Sequence, residues 1–161
     1  MGFLNLKKQQ GLAMVEFAVT LPFLLLLLGI MGEMGYIFYQ QTVLNKALEN
    51  GAIYAAKSTR SGIGLVKISA QTEQDIKNLV AYGNVAGSGT TLVNNISTDD
   101  ISVNCTYGSQ NGYCNTVNGV SSVSIQANVV YTPILGSLFN NVTGISLFPL
   151  TLSATNTVSP I

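Results

Sequence analysis

Residues 17–32 carry no charged side chain, and residues 24–28 are an unbroken run of leucine. A helix rises 1.5 Å per residue, so about 20 apolar residues cross the hydrocarbon of a bilayer. Between residues 12 and 45 the only charges are Glu16 and Glu33. Residues 12–39 therefore read as one transmembrane helix. Tyr36, Phe38 and Tyr39 cluster at its far end, where amphipathic rings favour the membrane–water interface. Lys7 and Lys8 precede it and the next base is Lys46. The positive-inside rule then keeps residues 1–11 in the cytoplasm and sends residues 40–161 across the membrane. A secretory signal peptide shares the basic start and apolar middle, but no small-residue cleavage site follows the leucine run. No cysteine lies close enough for a lipid anchor either.

The rest of the composition narrows the function. The chain has 161 residues, enough for about one domain. Charged side chains make up 9% of it, against roughly 25% in an ordinary soluble domain, and they are unevenly spread. Residues 46–78 hold five bases and three acids (Lys46, Glu49, Lys57, Arg60, Lys67, Glu73, Asp75, Lys77), whereas residues 79–161 hold only Asp99 and Asp100. A net charge of zero gives no basic field for nucleic acid. The absence of His removes Ser-His-Asp and Cys-His catalysis and the usual zinc sets. With so few acids and bases after residue 78, an anchored enzyme is the weakest reading, and neither cofactor, metal nor small-molecule substrate is expected.

Beyond the membrane the helical pattern continues. Leu44, Ala47, Leu48, Gly51 and Ala55 recur at spacings of three and four, with Asn45, Lys46, Glu49 and Asn50 opposite. Residues 12–57 as one helix would be about 69 Å long. Residues 40–60 thus form an amphipathic extension whose apolar stripe needs a packing partner. Ser61, Gly62 and Gly64 mark a break. A second helix is predicted over residues 69–82, with Ile76, Leu79 and Val80 as its apolar face and Gly83 as its stop. Thereafter short alternating runs take over: Ile101, Val103, Cys105, Tyr107; then Val123, Ile125, Ala127, Val129, Tyr131; then Leu150, Leu152, Ala154. Period two between turn residues predicts an antiparallel sheet. The fold class is α+β: a long N-terminal transmembrane and amphipathic helix, then an extracytoplasmic head over residues 61–161 with a small antiparallel sheet.

Few residues can carry chemistry. Cys105 and Cys114 are the only cysteines and lie on the side predicted to be extracytoplasmic, where a disulfide is favoured. Closing so short a loop stabilises by about 2.7 kcal/mol in the loop-entropy model. Zinc would need two more ligands, and a redox pair would usually be CxxC. Asp99 and Asp100 read as a polar turn opening a strand, since no spaced third carboxylate makes a calcium site. Asn95, Asn104 and Asn141 match a glycosylation sequon of no weight in so Asn- and Thr-rich a chain. Gly29, Gly32 and Gly35 recur every third residue and allow close helix neighbours. Glu16 is the informative residue. A carboxylate in an apolar helix costs several kcal/mol unless paired, neutralised or at the interface. It is either a headgroup-level boundary residue near Lys7 and Lys8 or the partner of a cation on another subunit. Glu33 is expected to snorkel to the far interface.

Lys7, Lys8, Gly11, then Leu12, Ala13, Met14, Val15, Glu16 and Phe17 before an apolar helix resemble a class III prepilin-peptidase site. Gly11 through Pro22, the leucine run, Glu33 and Tyr36 are similar to the opening of TadE-like proteins, minor pilins or pseudopilins of the tight-adherence (Flp) type IV pilus. Ala47, Gly51, Ala52, Tyr54 and Ala55 and the stretch Leu150, Thr151, Leu152, Ser153, Ala154 fit the same pattern. The resemblance implies a pilin-like fold and cleavage between Gly11 and Leu12 by a prepilin peptidase. It implies that Glu16 and Phe17 align subunits, with other pilins and the pilus-assembly machinery as partners. It also implies residence in the bacterial inner membrane, periplasmic head outward, and later in the extracellular pilus. Phe17 stands where major Flp pilins carry Tyr, the usual base after Glu33 and Gly35 is replaced by Tyr36, and the chain outlasts a major pilin; these favour a minor component. The competing reading is a single-pass, membrane-anchored periplasmic binding domain that is neither processed nor assembled.

Overall fold

The computed structural model describes residues 4–58, 68–106, 109–110, 113–114, 122–136 and 150–158, the backbone alone for 4–10, 105, 106, 109, 110, 113 and 114. Its elements are α1 (Leu4–Ser58), α2 (Ala70–Tyr82), a 3-10 turn (Thr98–Asp100), β1 (Ile101–Thr106), β2 (Ser109–Gln110), β3 (Tyr113–Cys114), β4 (Ser122–Tyr131) and β5 (Leu150–Val158). The arrangement is α+β, a long apolar N-terminal helix and a small antiparallel sheet. The chain divides into two compact units, Met1–Tyr36 and Ile37–Ile161.

The first unit is helical from Leu4 onward. Pro22 lies inside the helix without ending it. Proline removes one helical hydrogen bond, a loss tolerated in membrane helices where hydroxyls can bond nearby carbonyls. The Thr20 hydroxyl donates to the Phe17 carbonyl at 3.1 Å, one residue before the Ala18 carbonyl that Pro22 leaves without its helical donor. The predicted break at Ser61, Gly62 and Gly64 lies outside the described residues, and α1 ends just before it at Ser58.

The second unit is built around the last turns of α1. Leu44, Ala47, Leu48, Gly51, Ala52 and Ala55 are buried, the stripe that the spacing predicts with Ala52 added. Small side chains let the neighbouring backbone come close. A Cβ on Gly51 would stand 2.7 Å from Val80 Cγ2, 3.5 Å from Ile125 Cδ1 and 3.6 Å from Ile76 Cγ2. So α1, α2 and β4 meet at Gly51, where α2 and the sheet together cover the stripe.

Helix α2 owes its limits to its caps. The Ser69 hydroxyl accepts from the Thr72 amide at 3.1 Å, filling one of the unbonded donors of the first turn. Gly83 ends the helix at φ +76°, a left-handed conformation that costs an L side chain strain, and its N–H donates to the Leu79 carbonyl. Ile76 and Val80 are buried as expected, while Leu79 is half-buried and Ala81 takes the remaining inward place.

The sheet order is β1-β4-β5, all antiparallel, with a separate hairpin of β2 and β3. Ala127 of β4 faces Ile101 of β1 on one side and Ala154 of β5 on the other. Val123, Ile125, Ala127, Val129 and Tyr131 are all buried, as are Leu152 and Ala154. Helix and sheet are also tied by polar contact: Gln41 Nε2 donates to the Ser153 carbonyl at 3.1 Å. Leu150 shares the inward face with Leu152 and Ala154, yet at the end of the sheet it is half exposed. Asp99 and Asp100 close the 3-10 turn, where Asp100 Oδ2 accepts from the Ser97 amide at 2.8 Å and its hydroxyl at 2.9 Å. Among the described residues no three metal-ligating side chains lie together.

Candidate functional site

The candidate site is the start of the apolar helix. Gly11, Leu12, Glu16 and Phe17 lie on one uninterrupted stretch of α1. Residues four apart share a helix face, so Leu12 and Glu16 stand one above the other, about 6 Å along the axis. All four residues are exposed, Leu12 and Phe17 prominently so. Nothing lies within 4 Å of where a Gly11 side chain would begin. The side chains of Lys7 and Lys8 lie outside the described residues.

Every residue from 11 to 28 is exposed along this helix. Burying one large apolar side chain is worth about 1.5–3 kcal/mol, so a column of them left in water would be strongly unfavourable. Among the described residues, Gly11–Ser58 is the one helix long and apolar enough to cross a membrane, as a single-pass anchor requires. Gly32 and Gly35 likewise have open space where side chains would be, leaving the helix surface accessible to a close neighbour.

Two polar residues further along are buried. Glu33 is buried and engaged in an interaction, whereas snorkelling would have left its carboxylate exposed. Gln40, one face-repeat later and unremarked by sequence pattern, is also buried, and its Oε1 has no hydrogen-bond partner. The only signal available was position: residues 33, 40, 44, 47 and 51 follow the stripe of the stalk, two of them polar.

The cysteines are placed by backbone alone. Cys105 pairs with Val123 in β1, and Cys114 pairs with Ser109 in the hairpin. Their side chains, and Tyr107, lie outside the described residues. Beyond the span, partial burial and the neighbouring Asp75 carboxylate push the Tyr54 hydroxyl above its usual range near pH 10. That hydroxyl donates to Asp75 Oδ2 at 3.2 Å, and Gln71 Nε2 donates to Oδ1 at 2.9 Å. This cluster joins α1 to α2 and has no part in the site.

The family model described as TadE-like protein matches residues 11–52, starting at Gly11 and running through the apolar helix and all of the buried stripe but Ala55. Residues 11–52 are TadE-like. No curated protein and no solved structure matches the chain. The TadE-like segment thus holds Gly11, Leu12, Glu16 and Phe17 together with Leu44, Ala47, Leu48 and Gly51, so one match covers both the exposed site and the helix face that receives the sheet.

Proposed function

We propose that this chain is a minor pilin or pseudopilin of a Tad (Flp) type IV pilus, cleaved after Gly11 by a prepilin peptidase and taking part in pilus assembly. The observation that carries the reading is the TadE-like segment opening at Gly11, with an exposed Glu16 one helical turn past Leu12. The role is structural rather than enzymatic. The leader, residues 1–11, is cytoplasmic and the head, residues 61–161, periplasmic, as the bases before the span direct. An unobstructed Gly11 lets a protease reach the backbone there.

Cleavage creates an α-amino group on Leu12 with a reference pKa of about 7.7–8.0, largely cationic at neutral pH. Water and headgroups solvate it and Glu16 in a lone subunit. Inside a bundle of staggered helices both would leave water, and the attraction between Glu16 of one subunit and the Leu12 amine of the next grows as the dielectric falls. A charge left unpaired there is costly, so one axial register is selected. Phe17 packs beside that contact. In the periplasm a disulfide between Cys105 and Cys114 would staple the end of β1 to the hairpin.

Two measurements test this. Intact mass of the membrane protein should begin at Leu12, and Gly11→Val should retain the leader; a chain beginning at Met1 in both would leave an unprocessed anchored domain instead. Glu16→Gln should insert and be cleaved, yet be depleted from sheared surface pili relative to the membrane fraction. Normal incorporation would reduce Glu16 to a boundary residue.

A further inference from the structure

The head unit exposes large apolar side chains at one end of its sheet. Val130 is 50% exposed, Ile134 60% and Leu150 50%, and the β4–β5 register sets Val130 opposite Thr151 and Tyr131 opposite Leu150. These three residues therefore ring the place where β4 finishes and β5 starts. They do not belong to one face. Tyr131 and Val129 point into the core, so Val130 points to the opposite side, while Leu150 pairs with Tyr131 on the core side. An apolar rim on both sides of a sheet end does not suit a helix or strand laid on one face. It suits a flat apolar layer meeting the end.

The helix inside the same unit says which end this is. Gly51 of α1 lies beside Ile125, whereas Gln41 reaches the Ser153 carbonyl, three residues from Leu150. Moving toward the N-terminus of α1 is thus moving toward the Tyr131 and Leu150 end of the sheet. The next exposed apolar residues in that direction on α1 are Tyr39 (64%) and Phe38 (66%), the aromatic close of the apolar span. Aromatic rings at such a position sit at headgroup level. Charge agrees: β1, β4 and β5 contain no Lys, Arg, Asp or Glu, and no charged residue occurs from Ile101 onward.

We propose that the sheet end rimmed by Val130, Ile134 and Leu150 rests in the headgroup layer of the membrane beside Phe38 and Tyr39, so that the head of the unassembled subunit docks on lipid. The inference rests on reading residues 12–39 as a membrane span. With no base at this end, docking is by apolar insertion and owes nothing to anionic lipid. Assembly would then have to lift this rim out of the lipid.

The chain has no Trp, so single substitutions make clean reporters. The full-length protein is reconstituted into zwitterionic vesicles with a lipid-borne quencher. Ile134→Trp and Leu150→Trp should show blue-shifted emission and a marked loss of intensity, unchanged by high salt or by added anionic lipid. Leu26→Trp, in the span, should be quenched more deeply. Ile53→Trp, an exposed position on α1 beyond Gly51, should be unaffected. A quenched Leu26→Trp with unquenched Ile134→Trp and Leu150→Trp overturns the docking while leaving the span intact. An unquenched Leu26→Trp overturns the span and the docking with it. Blue-shifted but unquenched rim reporters, varying with protein-to-lipid ratio, would mean that a second copy covers the rim, and would also overturn the proposal. Matching circular dichroism among variants confirms that each has folded.

Discussion

Gly51 is where the packing leaves no slack. A methyl group there would sit 2.7 Å from Val80 Cγ2, so Gly51→Ala must displace Val80 or separate α1 from α2. Overpacking costs about 1–3 kcal/mol, and the gain in helix propensity returns only about 1 kcal/mol. A net loss of about 1 kcal/mol is expected in urea unfolding of the full chain in detergent. Adding Val80→Ala should recover part of the overpacking cost, so strict additivity of the two substitutions would show that the close approach is not what limits the site. Tyr54 offers a pH test. Its pKa is raised in the folded state, mostly by burial and then by Asp75, so its contribution to stability is complete below the unfolded value of about 10. That contribution is lost as pH rises through the higher folded value. Absorbance titration should show Tyr54→Phe removing a late-ionising tyrosine. Asp75→Asn should bring that component earlier without normalising it. If Tyr54→Phe merely scales the curve down, the hydroxyl is not shifted.

At the scale of elements, α2 shows how far local chemistry alone can define a helix. Ser69 at one end and Gly83 at the other are separable devices across 13 residues. Ser69→Ala removes the bond to the Thr72 amide and should cost about 1 kcal/mol. Gly83→Ala forces a side chain into the left-handed region, at about 1–2 kcal/mol, and presses a Cβ to 3.3 Å from Leu92. Amide exchange should accelerate at the N-terminal turn in the first variant and at the C-terminal turn in the second. The losses should sum in the double variant, since the caps share no partner. The sequence pattern places Ser69 inside the helix, where the structure makes it the N-cap, whereas Gly83 was legible because a cap needs only its own few residues. The short hairpin of β2 and β3 was not: residues 106–113 read as a turn-rich loop, and a two-residue strand is too short to show a period.

The whole molecule couples a span that needs lipid to a head that builds its own core. The proposed bridge between Cys105 and Cys114 belongs to the head alone. Cys114→Ser should lower thermal stability of the exported protein by up to about 2.7 kcal/mol while leaving membrane extraction unchanged. Free thiols at both positions in quenched native material would refute the bridge. Helix α1 serves both parts, which explains why its charges thin out so early. An exposed charge between residues 17 and 32 would oppose insertion, and one on the stripe at 44, 47, 48 or 51 would oppose packing of the sheet.

Sequence alone determined the long apolar run, the stripe beyond it, the Gly83 stop of α2 and the alternation in β4, because each is a contest between side chains and solvent decided within a few residues. The candidate site at Gly11, Leu12, Glu16 and Phe17 is a linear pattern of neighbouring residues and was proposed from sequence alone. Tertiary structure decided the rest. It set β4 between β1 and β5, since strand order depends on which edges meet in space rather than on any single run. It buried Gln40, which no sequence pattern singled out, and turned Ala81 inward in preference to Leu79. Leu150 follows the inward alternation and still lies half exposed, because burial needs a neighbour overhead, and the sheet ends there.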